Sequence, residues 1–255
     1  MQEWRYCIEL AYNGGGYHGW QFQPNAITVQ QRLEDALHKF SRIQIRVTGA
    51  GRTDTGVHAR RFFAHFSIEA RLNDDELKQW VYRLNRILAA DIVVFKIHRV
   101  SRDFHARFSA ISRTYRYFIL KTKDPFSTEF AYYPGLTLDI ENMRKAAAIF
   151  QEYTDFACFT KSNTQTENYR CRIIESFLVE TDTLIIYQVK ANRFLRNMVR
   201  AMVGTLIEAG KGRLNESELH ALLISGTRSD AGESVPARGL FLEDVIYPEN
   251  SFGSH

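Results

Sequence analysis

Along this chain the spacing of apolar residues switches between a period of two and a period of 3.6 in one order, and then repeats that order. Residues 4–13 (WRYCIELAYN) are rich in β-branched and aromatic residues and run into NGGG, as a strand runs into a loop. Residues 28–42 place Val29, Leu33, Ala36, Leu37 and Phe40 at helical spacing behind Thr28, a suitable N-cap. Residues 43–49 (IQIRVTG) alternate apolar and polar, and 60–70 (RRFFAHFSIEA) read as another strand. A helix is expected over 73–88, capped by Asn73 with acids in its first turn, then a strand over 91–100. This is β-α-β-β-α-β, the split β-α-β or ferredoxin-like arrangement. The second half repeats it with a strand at 113–122, a helix at 139–153 capped by Asp139, and strands at 171–181 and 183–193 that turn at Asp182. A helix at 194–210, an extra helix at 215–226 and a strand at 239–248 complete it. The expected fold is α+β, with two ferredoxin-like domains at 1–105 and 106–255. Antiparallel sheets in such units leave one face open, and an open β-face is a common RNA platform.

The composition narrows the class. With 255 residues, 45% of them hydrophobic and 24% charged, the chain can bury cores without disulfides or a structural metal. No run approaches the roughly 18 apolar residues of a membrane span. The opening MQEWRYCIEL mixes charges among its first apolar residues, unlike a signal peptide, so a cytoplasmic location is expected. Cys7, Cys158 and Cys171 lie far apart, form no C-x-x-C pair, and are expected to be buried free thiols. His58 and His65, seven residues apart, lack metal-ligand spacing, so no metal is expected. The net charge is only +4, but arginines cluster: Arg42, Arg46, Arg52, Arg60 and Arg61, then Arg99, Arg102, Arg107, Arg113 and Arg116. A third group is Lys190, Arg193, Arg196 and Arg200. Such clustering fits either a polyanionic partner or solvated faces.

Residues 47–66 (VTGAGRTDTGVHARRFFAHF) hold three glycines in eight residues, as a nucleotide loop does. The dinucleotide pattern G-x-G-x-x-G fails because Asp54 stands at its third glycine. The phosphate-loop spacing of Gly51 and Gly56 is followed by Val57 and His58 rather than lysine, and a carboxylate repels phosphate. Asp54 alone could be a turn aspartate bonding its own backbone. Its context favours more. Arg52 stands two residues before it, glycines lie on both sides, and basic and aromatic residues follow. A positioned, ionised carboxylate can be a nucleophile or a base.

Five segments in order resemble the tRNA pseudouridine synthase A family. GAGRTDTGVHA (49–59) is similar to its aspartate motif, and YNGGGYHGWQFQPNAITVQ (12–30) to its opening segment. There the family commonly has aspartate-glycine-threonine where this chain has Asn13, Gly14 and Gly15. DFHARFSAISRTYRYFI (103–119), NRFLRNMVRAMVGTL (192–206) and VPARGLFLEDVIY (235–247) resemble its central and C-terminal segments. The resemblance implies that the two halves form one continuous, mostly antiparallel sheet with helices on one side, in a homodimer. It implies isomerisation of uridine to pseudouridine at positions 38, 39 and 40 of the tRNA anticodon stem-loop, with no metal or organic cofactor. Asp54 then matches the catalytic aspartate, which could add to the base, attack the sugar C1′ or take the C2′ proton. Tyr115 matches the active-site tyrosine, stacking on uracil or transferring a proton. Arg200 matches an arginine that approaches the carboxylate from the second half, with Arg193 and Arg196 preceding it at i, i+3 and i+7 on one expected helix face. Arg52 is placed to orient Asp54 or hold a phosphate, and His58, Arg60, His105 and Arg107 are further RNA-contact positions. Base chemistry inside a stem-loop calls for nucleotide flipping, here into a cleft between the halves.

Two other readings share the scaffold. One is a non-catalytic RNA-binding module, although RRFFAHFSI lacks the glycine-aromatic pattern of RNA-recognition strands. The other is a related pseudouridine synthase with a different RNA target.

Overall fold

The computed structural model describes residues 3–160 and 168–252. Two compact units result, Met1–Ile111 with Leu242–His255, and Ser112–Phe241.

The first unit is built from β1 (Trp4–Tyr12), α1 (Val29–Ser41), β2 (Thr48–Gly49), β3 (His58–Ile68), α2 (Asp74–Ile87) and β4 (Ile92–Val100). β1 lies antiparallel between β4 and β3, and β2 pairs with β3. That order, β4-β1-β3-β2, is the split β-α-β arrangement read from the periodicity. Tyr6 stands opposite Phe66 and Leu10 opposite Phe62, so alternation puts Tyr6, Ile8, Leu10, Phe62 and Phe66 on one buried face. Both helices close over that face. Trp80 of α2 stacks on Phe66 at 6.0 Å between centroids and meets Phe40 of α1 edge-on at 5.0 Å. The caps are those expected: Thr28 accepts from Gln31 N, and Asn73 forms a capping box with Glu76.

The strand expected at 43–49 is reduced to Thr48–Gly49. Ile45 and Val47 are buried as the alternation requires, but α1 takes up the backbone of this stretch. Val47 N donates to Glu34 Oε1 at 3.0 Å, and Val47 O accepts from Gln30 Nε2 at 3.0 Å. Glu34 is 7% exposed, and it also accepts from Gln30 Nε2 at 3.0 Å and from Arg46 Nη1 at 2.6 Å. Helix side chains thus replace a strand partner at Val47.

The second unit holds β5 (Ser112–Leu120), α3 (Ile140–Ile149), β6 (Ile173–Glu180), β7 (Leu184–Ala191), α4 (Met198–Gly210), α5 (Glu216–Ser225) and the start of β8 (Leu240–Ile246). β7 lies antiparallel between β5 and β6, and β8 starts beside β5, with Phe241 edge-on to Phe118 at 5.2 Å. Tyr117 and Tyr187 stand opposite each other, both fully buried. Ser176 hydrogen-bonds the Tyr187 hydroxyl at 2.9 Å and donates to Ala147 O at 2.7 Å, which ties α3 to the sheet. The α+β class read from the sequence is borne out.

Two expectations are corrected here. The helix expected from 194 begins at Met198, after Asn197 in the left-handed region at φ 67°. Arg193 and Arg196 therefore share no helical face with Arg200. α4 is apolar nearly all round and buried along most of its length, so it has no solvated basic side. The terminal strand also does not stay with the second half, because from Leu242 the chain belongs to the first unit. Tyr247 packs on Phe63 and Phe104, each at 5.1 Å, and Phe252 on the same rings at 5.4 and 5.7 Å. Tyr247 Oη donates to Ala106 O at 2.5 Å. The return covers part of the β3 face turned away from the helices, a face the sequence reading left open.

Beside this cover lies a charge network. Arg61 bonds Glu9 at 2.7 Å and Asp244 at 3.2 Å, and His98 Nε2 lies 3.0 Å from Glu9 Oε2. The bond to His98, against burial and helped by Arg61, holds the Glu9 carboxyl down to about 2. A depressed carboxylate stabilises the fold above its unfolded value near 4.5, and that stability is lost as pH falls toward 2. Glu9→Gln is expected to flatten the acid arm of a urea-midpoint-versus-pH curve below pH 4.5, removing at most about 3 kcal/mol of pH-dependent stability. Glu34→Ala, which strands the Val47 amide, is expected to lower stability by about 1–3 kcal/mol in the same denaturation assay.

Candidate functional site

Asp54 lies on the loop between β2 and β3. Ala50 N donates to Phe63 O at 2.7 Å, and from Gly51 the chain leaves the sheet edge. Asp54 is half-buried, between buried Thr53 and exposed Thr55. Its own carbonyl accepts from Val57 N at 3.1 Å, closing a turn through Gly56 at φ +79°. Residues on both sides are held by the segment after β1. Thr53 Oγ1 shares a 2.9 Å hydrogen bond with Tyr12 Oη, Thr53 O accepts from Trp20 N at 3.3 Å, and Gly56 N donates to Tyr17 O at 3.2 Å.

Two glycines allow this approach. A Cβ on Gly14 would stand 1.9 Å from Val57 O, and one on Gly19, at φ +83°, would stand 2.3 Å from Thr53 O. Underneath, Trp20 packs on Phe62 at 4.2 Å and on Tyr12 at 6.2 Å. The Asn13-Gly14-Gly15 departure therefore forms part of the wall of the Asp54 loop. Asn13 Oδ1 accepts from Gly15 N at 3.0 Å, a bond an aspartate carboxylate in its place could equally accept. Sequence reasoning missed Tyr12, Gly14, Gly19 and Trp20 as site residues; for the last three the signal is the glycine-rich run NGGGYHGW (13–20) directly after β1, of which only Gly14–Gly16 form a short 3-10 turn.

The other expected residues fall into three states. His58 is corrected: it is 1% exposed and its Nδ1 accepts from Gly14 N at 3.1 Å, so it braces the loop instead of facing RNA. Arg52 and Arg60 are exposed, and Arg60 pairs with Glu243 at 3.2 Å. His105 and Arg107 lie on the segment before β5, with the His105 ring 4.7 Å from buried His65. In the second unit Tyr115 is half-buried and edge-on to Phe194 at 5.1 Å. It shares the helix-facing side of β5 with Tyr117, whose hydroxyl donates to Pro236 O at 2.7 Å and whose pKa burial pushes far above the usual phenol value. Arg200 Nε donates to Val235 O at 2.7 Å while Val235 N donates to Arg200 O at 3.3 Å. Arg193 is half-buried and Arg196 exposed on the loop before α4.

Among the described residues no three His, Cys, Asp or Glu side chains form a metal-binding group, and no helix is long and apolar enough to cross a membrane. The three cysteines are buried thiols, and burial raises Cys158 to about 12 and Cys171 to about 11.

Comparison with known proteins follows the same residues. A family profile described as tRNA pseudouridine synthase matches residues 146–248. A tRNA pseudouridine synthase A from Parabacteroides distasonis is 44% identical over 248 residues, 97% of this chain and 98% of its own. Another from Bacteroides fragilis is 43% identical over 254 residues, 99% of this chain and 100% of its own. The chain belongs to the tRNA pseudouridine synthase A family. More distant members align nearly as fully, such as one from Thermoanaerobacter sp. at 37% identity over 94% of this chain and 98% of its own. The family match thus takes in the Asp54 loop as well as the second unit.

The wall of that loop gives a steric test. Gly14→Ala is expected to lower stability by at least about 2 kcal/mol, because the colliding atom is backbone. Gly16→Ala, whose Cβ meets nothing within 4 Å, is expected to stay within about 0.5 kcal/mol of wild type. Chemical denaturation of both variants checks the contrast.

Proposed function

We propose that this protein converts uridine to pseudouridine in tRNA, at positions 38, 39 and 40 of the anticodon stem-loop, with Asp54 as the nucleophile. The observation that carries this reading is the near-full-length match to relatives named tRNA pseudouridine synthase A, taken with an aspartate braced on both sides by backbone bonds. The reaction breaks the N1–C1′ bond, turns the uracil, and joins C5 to C1′; N1 gains a proton and C5 loses one. Nothing enters or leaves overall, so the protein's task is to position a reactive carboxylate and hold the detached base. A short aspartate on a fixed loop suits that task, because little side-chain freedom is left to freeze.

In this reading Tyr115 and Arg200 serve the same reaction as Asp54. Tyr115, the fourth of nine residues in β5, is half-buried, and an aromatic ring with a phenol hydroxyl suits stacking on uracil or transferring a proton. Arg200, partly exposed with its Nε bonded to Val235 O, is assigned to a carboxylate or phosphate, which a guanidinium matches in shape and charge. Arg52, Arg60, Arg107, Arg193, Arg196 and His105 are assigned to the RNA backbone, where binding strength falls with salt. The target leaves the base stack, at a cost of a few kcal/mol that stacking and backbone contacts offset. A homodimer in the cytoplasm belongs to the same reading.

The test incubates unmodified anticodon stem-loops with the protein and counts pseudouridine by position. Wild type is expected to modify positions 38–40. Asp54→Ala is expected to lose more than about 10³-fold in rate while keeping stem-loop binding and melting temperature. Equal rates in the two proteins would overturn the role of Asp54. Product confined to another RNA would move the target.

A further inference from the structure

We infer that residues 105–108 form a stacking platform for an unpaired RNA base beside the target nucleotide, with Phe108 as the surface on which the base lies. The inference rests on the tRNA reading above and adds to it a contact that neither the reaction nor the family match assigns.

Phe108 is 75% exposed. It is also held in a built arrangement. The His105 ring lies 4.4 Å from the Phe108 ring at 33°, and the Arg107 guanidinium sits 5.5 Å from the Phe108 centroid. His105 Nδ1 accepts from the amides of Arg107 at 3.1 Å and Phe108 at 3.3 Å. His105 N donates to Ser109 Oγ, and Ser109 N to His105 O, both at 2.9 Å. The tight turn is anchored below: Ala106 N donates to His65 Nδ1 at 3.1 Å, Ala106 O accepts from Tyr247, and Phe104 is buried against Tyr247 and Phe252. An imidazole nitrogen that accepts from two amides carries no proton, so the platform is an uncharged aromatic pair flanked by an arginine. Burial, His105 and Arg5 push His65 down to about 4, and burial with Arg5 also lowers His105, which keeps both rings neutral at physiological pH.

Such a surface suits a nucleobase. A single exposed ring beside an arginine is too small for a protein-docking patch, whereas a base needs one π-face and a nearby positive charge for its phosphate. Its position suits a neighbour of the target. His65, beneath the platform, pairs with Thr48, and Asp54 is six residues further along the chain. An extended chain of that length reaches at most about 22 Å, which bounds the leg from Thr48 to Asp54.

The test compares wild type with Phe108→Ala, Phe108→Leu and Phe108→Trp, using an anticodon stem-loop with 2-aminopurine at each unpaired loop position in turn. Phe108→Ala and Phe108→Leu are expected to weaken binding by about 5- to 150-fold and to relieve the fluorescence quenching at one position. Phe108→Trp is expected to keep both, and melting temperatures should not change because the side chain is exposed. The effect should fall on KM, with the rate at saturating RNA near wild type. Wild-type binding by Phe108→Leu would overturn stacking in favour of a plain apolar contact, and unchanged binding in all three would remove the platform altogether. If wild type itself neither binds nor modifies the stem-loop, the tRNA reading fails first; if it does both and Phe108→Ala matches it, only this inference fails.

Discussion

The clamp between the segment after β1 and the Asp54 loop is the constraint on which the site depends. Three main-chain groups of that loop, Thr53 O, Gly56 N and the backbone about Val57, meet the backbone of residues 14–20. Two side chains from the sheet complete it, Tyr12 on Thr53 and His58 on Gly14. Main-chain contacts of this kind leave no room for a side chain, which is why glycine stands at 14 and 19. The clamp fixes the backbone from which the Asp54 side chain leaves, and so its Cα–Cβ direction.

The sheet beneath serves that clamp from one face and the 104–109 turn from the other. On the helix side, Phe62 carries Trp20, and Trp20 in turn backs the glycine segment. On the far side, Phe63, Phe104, Tyr247 and Phe252 form a second apolar layer that fixes the 104–109 turn. Period-two alternation of adjacent residues in β3 thus feeds two different structures, one holding the Asp54 loop and one holding an exposed ring. Glu9, Arg61, His98 and Asp244 line the same far side, and their mutual pairing keeps charge there without leaving it unpartnered.

How much of this is legible in the sequence varies with the range of the interaction. α1 and α2 began where Thr28 and Asn73 said they would, because a cap is a contact between residues two or three apart. Cys7, Cys158 and Cys171 could be read as buried free thiols from their spacing alone. The stretch 43–47 was misjudged because Gln30 and Glu34, over a dozen residues away, took the Val47 backbone groups. Arg193 and Arg196 were misplaced because the helical pattern of 194–210 cannot show a left-handed Asn197. His58 looked like a surface cation, and only its bond to Gly14 turned it inward.

By itself the sequence determined the element types and their repeated order, the α+β class, and the family to which GAGRTDTGVHA and four further segments point. Those rest on local periodicity, caps and motif spacing, which the chain carries wherever it folds. The tertiary structure decided that the opening glycines wall in Asp54, that the C-terminal residues return over Phe63, and that Phe108 is held outward while His58 is not. Each of these joins residues more than thirty apart in sequence or sets one side chain's direction, and hydrophobic pattern records neither distance nor aim.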